Sequence, residues 1–181
     1  MSFLREGIEI VFHCLGSDVQ ESHQFLKGFP DGNVRLAATR TEPGTRWIAH
    51  ETPAPGVFTF ECDGTGEKRF LDGITMGCGV GLAPNTNEPF IGTRWKVIDL
   101  PDPGTHVKLQ CQGNRDNPNR NGCPFGFLDG RTGVNDGGVS LRPKDNDFSG
   151  THWELIVWDA NAGDGGESAG PGGPPPPPRP I

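Results

Sequence analysis

Apolar and polar residues alternate along three separated stretches of the chain, and each stretch ends in Cys with Gly two residues later. The stretches are residues 8–16, 57–64 and 105–113, and residues 57–62 read Val-Phe-Thr-Phe-Glu-Cys. A period of two is typical of a β-strand with one buried face. Helical periodicity persists over no comparable length. The pattern therefore predicts an all-β fold.

Three further signals follow each of these strands in the same order. They are Phe-Leu-x-Gly (beginning at Phe25, Phe70 and Phe127), Val-x-Leu (at Val34, Val80 and Val139) and Gly-Thr-x-Trp (at Gly44, Gly92 and Gly150). The third copy is longer than the others, and its extra residues fall within 113–126. Ordered self-similarity of this kind indicates one supersecondary unit repeated along the chain.

The repeats span about residues 7–52, 53–101 and 102–159, and each supplies four short strands. Glycine and proline cluster where one repeat meets the next, at 53–56 and 101–104. Twelve strands in three similar units predict a β-trefoil within residues 1–160, a barrel capped by hairpins that leaves no exposed sheet edge. A three-bladed propeller would use the same units, but propellers usually have four or more blades.

The repeat resembles that of the ricin-B type trefoil lectins over about residues 7–158. The resemblance is carried by Leu-Asp, then Val-x-Leu, then a terminal x-x-x-Trp strand. The family's Gln-x-Trp is replaced here by Thr-Arg-Trp twice and Thr-His-Trp once. The resemblance implies a carbohydrate-binding protein in which the Asp of Leu-Asp accepts hydrogen bonds from two sugar hydroxyls.

The positions that match this Asp are Asp72 and Asp129, while Lys27 stands there in the first repeat. An ionised carboxylate suits sugar hydroxyls because charge-assisted hydrogen bonds are strong. The alternative is that each Asp-Gly pair only forms a tight turn. We complete the candidate carbohydrate-binding set with Thr93, Thr151 and Arg142.

An aromatic platform for the sugar is missing from the positions where the resembling lectins have one. Those positions are Ala37, Ala83 and Arg142, so Phe90 or Trp158 would have to substitute from a neighbouring loop. We therefore expect a glycan other than the usual galactose.

The charge and hydropathy of the chain limit the classes of partner that we expect it to bind. Lys and Arg number 16 against 23 Asp and Glu, a formal net charge of −7 with no basic run, which argues against nucleic acid. No stretch approaches the roughly 20 apolar residues of a membrane span. The N-terminus lacks the features of a signal peptide, so we expect a soluble, cytoplasmic protein with reduced thiols, or else leaderless secretion.

Five cysteines cannot all pair within one chain. Cys14, Cys62 and Cys111 end equivalent strands and are predicted to be small buried residues rather than a zinc site. Cys78 and Cys123 lie outside the repeated pattern and could pair only by accident of loop geometry. No nucleophile elbow, HExxH motif or phosphate loop occurs, so we predict no catalytic residue, metal or cofactor.

The last residues, 161–181, are rich in Gly and Pro and predict a disordered tail. Pro174, Pro177 and Arg179 match the PxxPxR pattern of ligands for SH3-type grooves. An inert spacer is the other interpretation of this tail.

For the whole chain we predict a non-catalytic, lectin-like module that binds a glycan or glycoprotein. The alternative is a protein-binding trefoil such as a protease inhibitor or cytoskeletal adaptor, since one fold hosts both.

Overall fold

A computed structural model describes residues 3–16, 24–87, 89–101, 105–114, 122–130, 137–143 and 149–159. These residues form twelve strands and two short 3₁₀ turns, at Ile91–Thr93 and Ser149–Thr151. The strands are β1 (Glu9–Cys14), β2 (Phe25–Gly28), β3 (Val34–Ala37), β4 (Trp47–Glu51), β5 (Val57–Cys62), β6 (Phe70–Ile74), β7 (Gly79–Ala83), β8 (Trp95–Asp99), β9 (His106–Cys111), β10 (Phe127–Gly130), β11 (Val139–Arg142) and β12 (Trp153–Val157).

Six of the strands close into an antiparallel barrel in the order β12, β1, β4, β5, β8, β9 and back to β12. The other six pair as three hairpins, β2–β3, β6–β7 and β10–β11. A closed barrel satisfies the backbone groups of every barrel strand and leaves no free edge. This architecture is the β-trefoil that the repeated signals predict, and the prediction is confirmed.

The three hairpins are joined to one another by a ring of equivalent backbone hydrogen bonds. In each bond the leucine of one Val-x-Leu strand donates its N–H to a carbonyl in the hairpin turn of the preceding repeat. The bonds are Leu36 to Gly137 (2.7 Å), Leu82 to Gly32 (2.8 Å) and Leu141 to Cys78 (2.8 Å). Each hairpin therefore has its backbone satisfied only when the other two are in place.

The tryptophans of the Gly-Thr-x-Trp signals form the centre of the core. Trp47, Trp95 and Trp153 are all 0% exposed, which confirms that they are core residues. Each indole N–H donates a hydrogen bond to the leucine carbonyl of the Phe-Leu-x-Gly strand in its own repeat, Leu26 (3.0 Å), Leu71 (2.9 Å) and Leu128 (3.0 Å). Tryptophan thus fills a large volume and also satisfies a buried carbonyl.

The glycine of each Phe-Leu-x-Gly strand leaves room for the cysteine of the following repeat. A Cβ on Gly28, Gly73 or Gly130 would lie within 2.7 Å of the Sγ atom of Cys62, Cys111 or Cys14, respectively. This distance is far below van der Waals contact, so no side chain fits there. The glycine and cysteine signals are therefore two sides of one contact between neighbouring repeats.

The cysteines divide into two groups. Cys14, Cys62 and Cys111 are free and buried, as predicted, and burial raises the pKa of each thiol, to about 11 for Cys14 and Cys62 and about 12 for Cys111. Cys78 and Cys123 form a disulfide, with Cα atoms 5.1 Å apart. The expectation of reduced thiols is therefore wrong for this pair. Both residues lie in connections outside the repeated pattern, so only the packing of the repeats reveals their proximity.

Three further expectations concern metal sites, membrane-spanning segments and the tail. Within those ranges no three His, Cys, Asp or Glu side chains are grouped so as to hold a metal ion. The same part of the chain contains no helix of the length and apolarity that a membrane crossing needs. The predicted tail, 161–181, and its proline motif lie outside the residues that the structure describes.

The indole hydrogen bonds generate a stability prediction. Trp95→Ala should lower the free energy of unfolding by about 3–5 kcal/mol, the usual effect of truncating a buried aromatic side chain. Trp95→Phe should lower it by about 1–3 kcal/mol, because the buried Leu71 carbonyl loses its donor. Denaturant unfolding measures both values. Trp158→Ala is the matched control: its ring is only half-buried and lies 5.9 Å from the Arg46 guanidinium, so a loss below about 1.5 kcal/mol is expected. A larger loss in the control than in Trp95→Ala would contradict the core assignment.

The disulfide generates a second stability prediction. Replacing Cys78 and Cys123 together by Ser should lower the free energy of unfolding by about 2–4 kcal/mol, because the open chain gains entropy when unfolded. Denaturant unfolding of the wild type with and without reductant is the parallel measurement. A wild type insensitive to reductant, with all five thiols reactive after denaturation, would show that the bond does not form.

Candidate functional site

Lys27, Asp72 and Asp129 occupy equivalent positions in β2, β6 and β10, each directly after the buried leucine. On the paired strand of each hairpin they face Arg35, Gly81 and Ser140, respectively. Directly opposed residues of an antiparallel pair project from the same face of the sheet. The residues on the second strand of each hairpin therefore determine the surroundings of each charged group.

In the first repeat the position is filled by an ion pair. The Nζ atom of Lys27 lies 2.8 Å from Oε2 of Glu42, and it also lies 4.8 Å from the centre of the Phe29 ring. The lysine therefore has an acidic and an aromatic partner within its own repeat.

In the third repeat, two of the predicted site residues pair with each other. Oδ2 of Asp129 lies 2.6 Å from Nε of Arg142, and the Asp129 side chain is only 4% exposed. Arg142 lies on β11 two residues beyond Ser140, so its side chain reaches Asp129 diagonally across the hairpin. The carboxylate is neutralised within the protein, and little of its surface is open to a ligand.

In the second repeat no residue that the structure describes pairs with the carboxylate in this way. Asp72 faces Gly81, and Ala83 stands at the position equivalent to Arg142. No described residue forms a hydrogen bond or ion pair with the Asp72 side chain. Burial without compensation raises the pKa of Asp72 from 3.8 to about 6. Asp72 is thus the one carboxylate of the predicted pair that is left available to an external donor.

Asp72 opens into a cavity of about 120 Å³. Its remaining lining is mostly aliphatic and comes from the β6–β7 turn and the segment before β8. The lining residues are Asp72, Gly73, Ile74, Thr75, Met76, Pro89, Ile91 and Gly92. Ile74 is 50% and Met76 46% exposed. The cavity therefore places the Asp72 carboxylate and the Thr75 hydroxyl beside exposed apolar surface.

Both walls of the cavity are held in place by contacts to other parts of the fold. The β6–β7 turn is tied to the third repeat by the Cys78–Cys123 disulfide and by a 2.7 Å hydrogen bond from the Cys123 N–H to the Thr75 carbonyl. On the other side, the Thr93 hydroxyl donates to the Phe90 carbonyl at 2.8 Å and closes the 3₁₀ turn. No repeated signal contains Ile74, Met76, Pro89 or Ile91, so the sequence pattern does not identify them as site residues.

The other predicted ligand contacts do not line the cavity. Thr93 and Thr151 are both 0% exposed. Phe90 does not line the cavity, and the Trp158 ring lies 5.9 Å from the Arg46 guanidinium. Among the residues that the structure describes, no aromatic ring replaces the missing platform beside Asp72.

A larger cavity of about 360 Å³ lies beside Phe70 on the outer surface of the barrel. Several of its charged groups are already paired. His50 lies 2.8 Å from Glu6 and 2.9 Å from Glu61, and Glu61 also pairs with Arg69 at 3.1 Å. These groups have partners within the protein, so the unpaired Asp72 is the stronger candidate for binding.

The contrast between the two aspartates predicts opposite effects on stability. Asp72→Asn should raise the free energy of unfolding by roughly 1–2 kcal/mol near neutral pH, because it removes a desolvated charge that is still partly exposed. Asp129→Asn should lower it by about 1–3 kcal/mol, because Arg142 loses its charged partner. Thermal or denaturant unfolding at neutral pH distinguishes the two. Equal effects of the same sign would contradict the assignment of one paired and one unpaired carboxylate.

The increase in the free energy of unfolding caused by Asp72→Asn should also depend on pH. The pKa of Asp72 in the folded protein, about 6, lies above its ordinary value of 3.8, so protonation favours the folded state. The destabilising effect of the charge is complete above this pKa, declines as the pH falls, and is absent below about pH 4. The difference between variant and wild type should therefore vanish in acid, while the contributions of all other carboxyls cancel. A gain that persists unchanged in acid would mean that charge is not its cause.

The sequence matches no protein-family model and no curated protein. Solved structures do share its fold. One is ThreeFoil, a designed threefold-symmetric protein, with a TM-score of 0.57 and 16% identity over 83% of this chain and 99% of that chain. Another is SeviL bound to the asialo-GM1 saccharide, with a TM-score of 0.56 and 12% identity over 83% of this chain and 98% of that chain. At these identities the likeness establishes the β-trefoil fold that this chain shares with them.

Proposed function

We propose that this protein is a non-catalytic carbohydrate-binding module with one binding site, at Asp72 in the second repeat. The observation that carries the proposal is a carboxylate in an open cavity with no partner among the described residues, at a position that an ion pair fills in the other two repeats. Sugar hydroxyls would supply the donors that Asp72 lacks, through charge-assisted hydrogen bonds. A ligand that restores these bonds also recovers part of the desolvation free energy of the carboxylate.

In this proposal the other candidate residues stabilise the fold and do not contact the sugar. Asp129 and Arg142 neutralise each other in the third repeat, with Nε and Oδ2 2.6 Å apart. The Thr93 hydroxyl fixes the 3₁₀ turn, and Thr151 is buried at the equivalent position. One functional site per chain follows from the ion pairs in the first and third repeats.

The saccharide bound to SeviL supports a glycan or glycoprotein as the partner, since that protein has the same fold. The Cys78–Cys123 disulfide supports residence in an oxidising compartment rather than the cytoplasm, where glutathione and thioredoxin keep thiols reduced.

A protein-binding trefoil, such as a protease inhibitor or cytoskeletal adaptor, is the second candidate. It is favoured by the exposed apolar side chains of Ile74 and Met76 on the rim of the cavity. A glycan array probed with the intact chain separates the two functions. Specific glycan signals that vanish in Asp72→Asn support the lectin, whereas an array without signal favours the protein partner.

The site predicts a stoichiometry and a pattern of mutant effects. Calorimetric titration with a glycan from the array should give one site per chain. Asp72→Asn should abolish binding, and Asp129→Asn, the matched control, should retain it because that carboxylate is already paired. Two sites per chain, or loss of binding only in Asp129→Asn, would contradict the placement.

The third repeat supplies a way to close the proposed site. Ala83→Arg puts a guanidinium at the position equivalent to that of Arg142, where it can pair with Asp72. In the folded variant we expect a loss of glycan binding of at least about tenfold, since an acceptor that already has a charged donor gains little from a hydroxyl. Binding by the wild type should likewise weaken as the pH falls through about 6, where Asp72 protonates. A folded Ala83→Arg variant that binds normally would contradict the role of Asp72.

A further inference from the structure

The composition of the Asp72 cavity restricts the kind of sugar that it can accept. Apart from the carboxylate, its long side chains are those of Ile74, Met76, Pro89 and Ile91. Ile74 and Met76 are also two of the few large hydrophobic side chains that are exposed within the described ranges. Exposed apolar side chains next to an unpaired carboxylate provide two kinds of contact side by side.

The position of Ile74 brings these two contacts close together. Asp72 and Ile74 lie two residues apart on β6 and so project from the same face, opposite Gly81 and Gly79. The Cδ1 atom of Ile74 lies over both glycines, 3.6 and 3.7 Å from where their Cβ atoms would be. The end of the Ile74 side chain therefore reaches over the residue that faces Asp72.

The size of the cavity argues for a small apolar group. Its volume of about 120 Å³ is well below the roughly 300–1,000 Å³ of pockets that enclose whole drug-sized ligands. No ring in the described ranges offers a platform for the face of a sugar. The apolar contact available is with aliphatic side chains, and it suits a substituent of the sugar rather than the sugar ring.

We propose that the Asp72 site selects sugars that carry a methyl group next to a hydrogen-bond donor. The donor pairs with the carboxylate, and the methyl group packs on Ile74 and Met76. A hydroxymethyl group packed on Ile74 and Met76 would lose water against side chains that form no hydrogen bond with it, and burying an unpaired hydroxyl is unfavourable. This inference rests on the proposed function, because it assigns the ligand class of the same site.

Two common sugar substituents have this chemistry. One is the methyl of a 6-deoxyhexose, with the donor on a neighbouring ring carbon. The other is the acetamido group, whose N–H can itself donate to Asp72 while its methyl packs on Ile74 and Met76.

A protein partner fits the Asp72 cavity less well than a sugar does. Stable protein interfaces bury about 800 Å² on each side, whereas this surface consists of a small cavity and its rim.

The experiment compares sugars that differ only at the substituent. Calorimetry or ligand-observed NMR with the intact, oxidised chain would compare methyl α-L-fucoside with methyl α-L-galactoside, and N-acetylgalactosamine with galactose. The methyl-bearing sugar should bind at least about fourfold more tightly in one of the pairs, the ratio that corresponds to burial of one methylene, ~0.8 kcal/mol. Preference in the first pair assigns a 6-deoxy sugar, and preference in the second assigns an acetamido sugar.

The contact of Ile74 and Met76 with the methyl group is tested with the double variant Ile74→Ser and Met76→Ser. This variant should reduce the ratio of the affinities for the two sugars of the preferred pair towards one. Val157→Ser is the matched control, because Val157 is 53% exposed on β12 and lies outside the cavity. It should keep the wild-type ratio. If the double variant does not fold, as judged by thermal unfolding, Ile74→Ala provides the same comparison with a smaller change.

The possible outcomes separate the inference from the proposed function. Equal affinities within both pairs would overturn the inference, while binding that depends on Asp72 would leave the proposed function standing. A methyl preference that survives loss of Ile74 and Met76 would overturn the assignment of the wall. A wild-type chain that binds no sugar, in these pairs or on the array, would overturn the proposed function itself.

Discussion

The hydrogen bond from each tryptophan indole to a leucine carbonyl is the contact on which the rest of the trefoil depends. It joins the last strand of a repeat to the first strand of that repeat's hairpin, at 2.9–3.0 Å in all three copies. Beside it, the hairpin glycine leaves space for the cysteine of the following repeat. The three glycine–cysteine contacts link each repeat to the next in a cycle. No repeat can therefore complete its own core, and the domain is stable only when all three repeats are in place.

This shared framework makes the differences between the repeats informative. The same hairpin position carries Lys27 paired with Glu42, Asp129 paired with Arg142, and Asp72 with no partner among the described residues. A desolvated, unpaired carboxylate lowers the stability of the fold, and such groups often mark functional sites. Because the core is symmetric, the same hairpin position can be compared in the three repeats. In the second repeat alone, its charged side chain has no partner among the described residues.

The walls of that open position come from asymmetric parts of the chain. The Cys78–Cys123 disulfide joins the β6–β7 turn to the connection before β10, which belongs to the lengthened part of the third repeat. It holds the turn that carries Thr75 and Met76 against a neighbouring repeat. A wall fixed in this way presents its aliphatic side chains without first having to be ordered by a ligand, which favours selectivity.

The sequence by itself determined the fold, because the alternating strands and the three ordered signals leave few architectures that satisfy all of them. It also identified the burial of Trp47, Trp95 and Trp153, since a large aromatic at equivalent places in a repeat belongs in the core. It could not distinguish Asp72 from Asp129, because both stand in the same Phe-Leu-Asp-Gly signal. Only the tertiary structure shows that Arg142 reaches one of them, that no described residue pairs with the other, and that Cys78 and Cys123 meet. Those contacts join residues of different strands and loops, and only the register of the hairpins and the packing of the repeats bring them together.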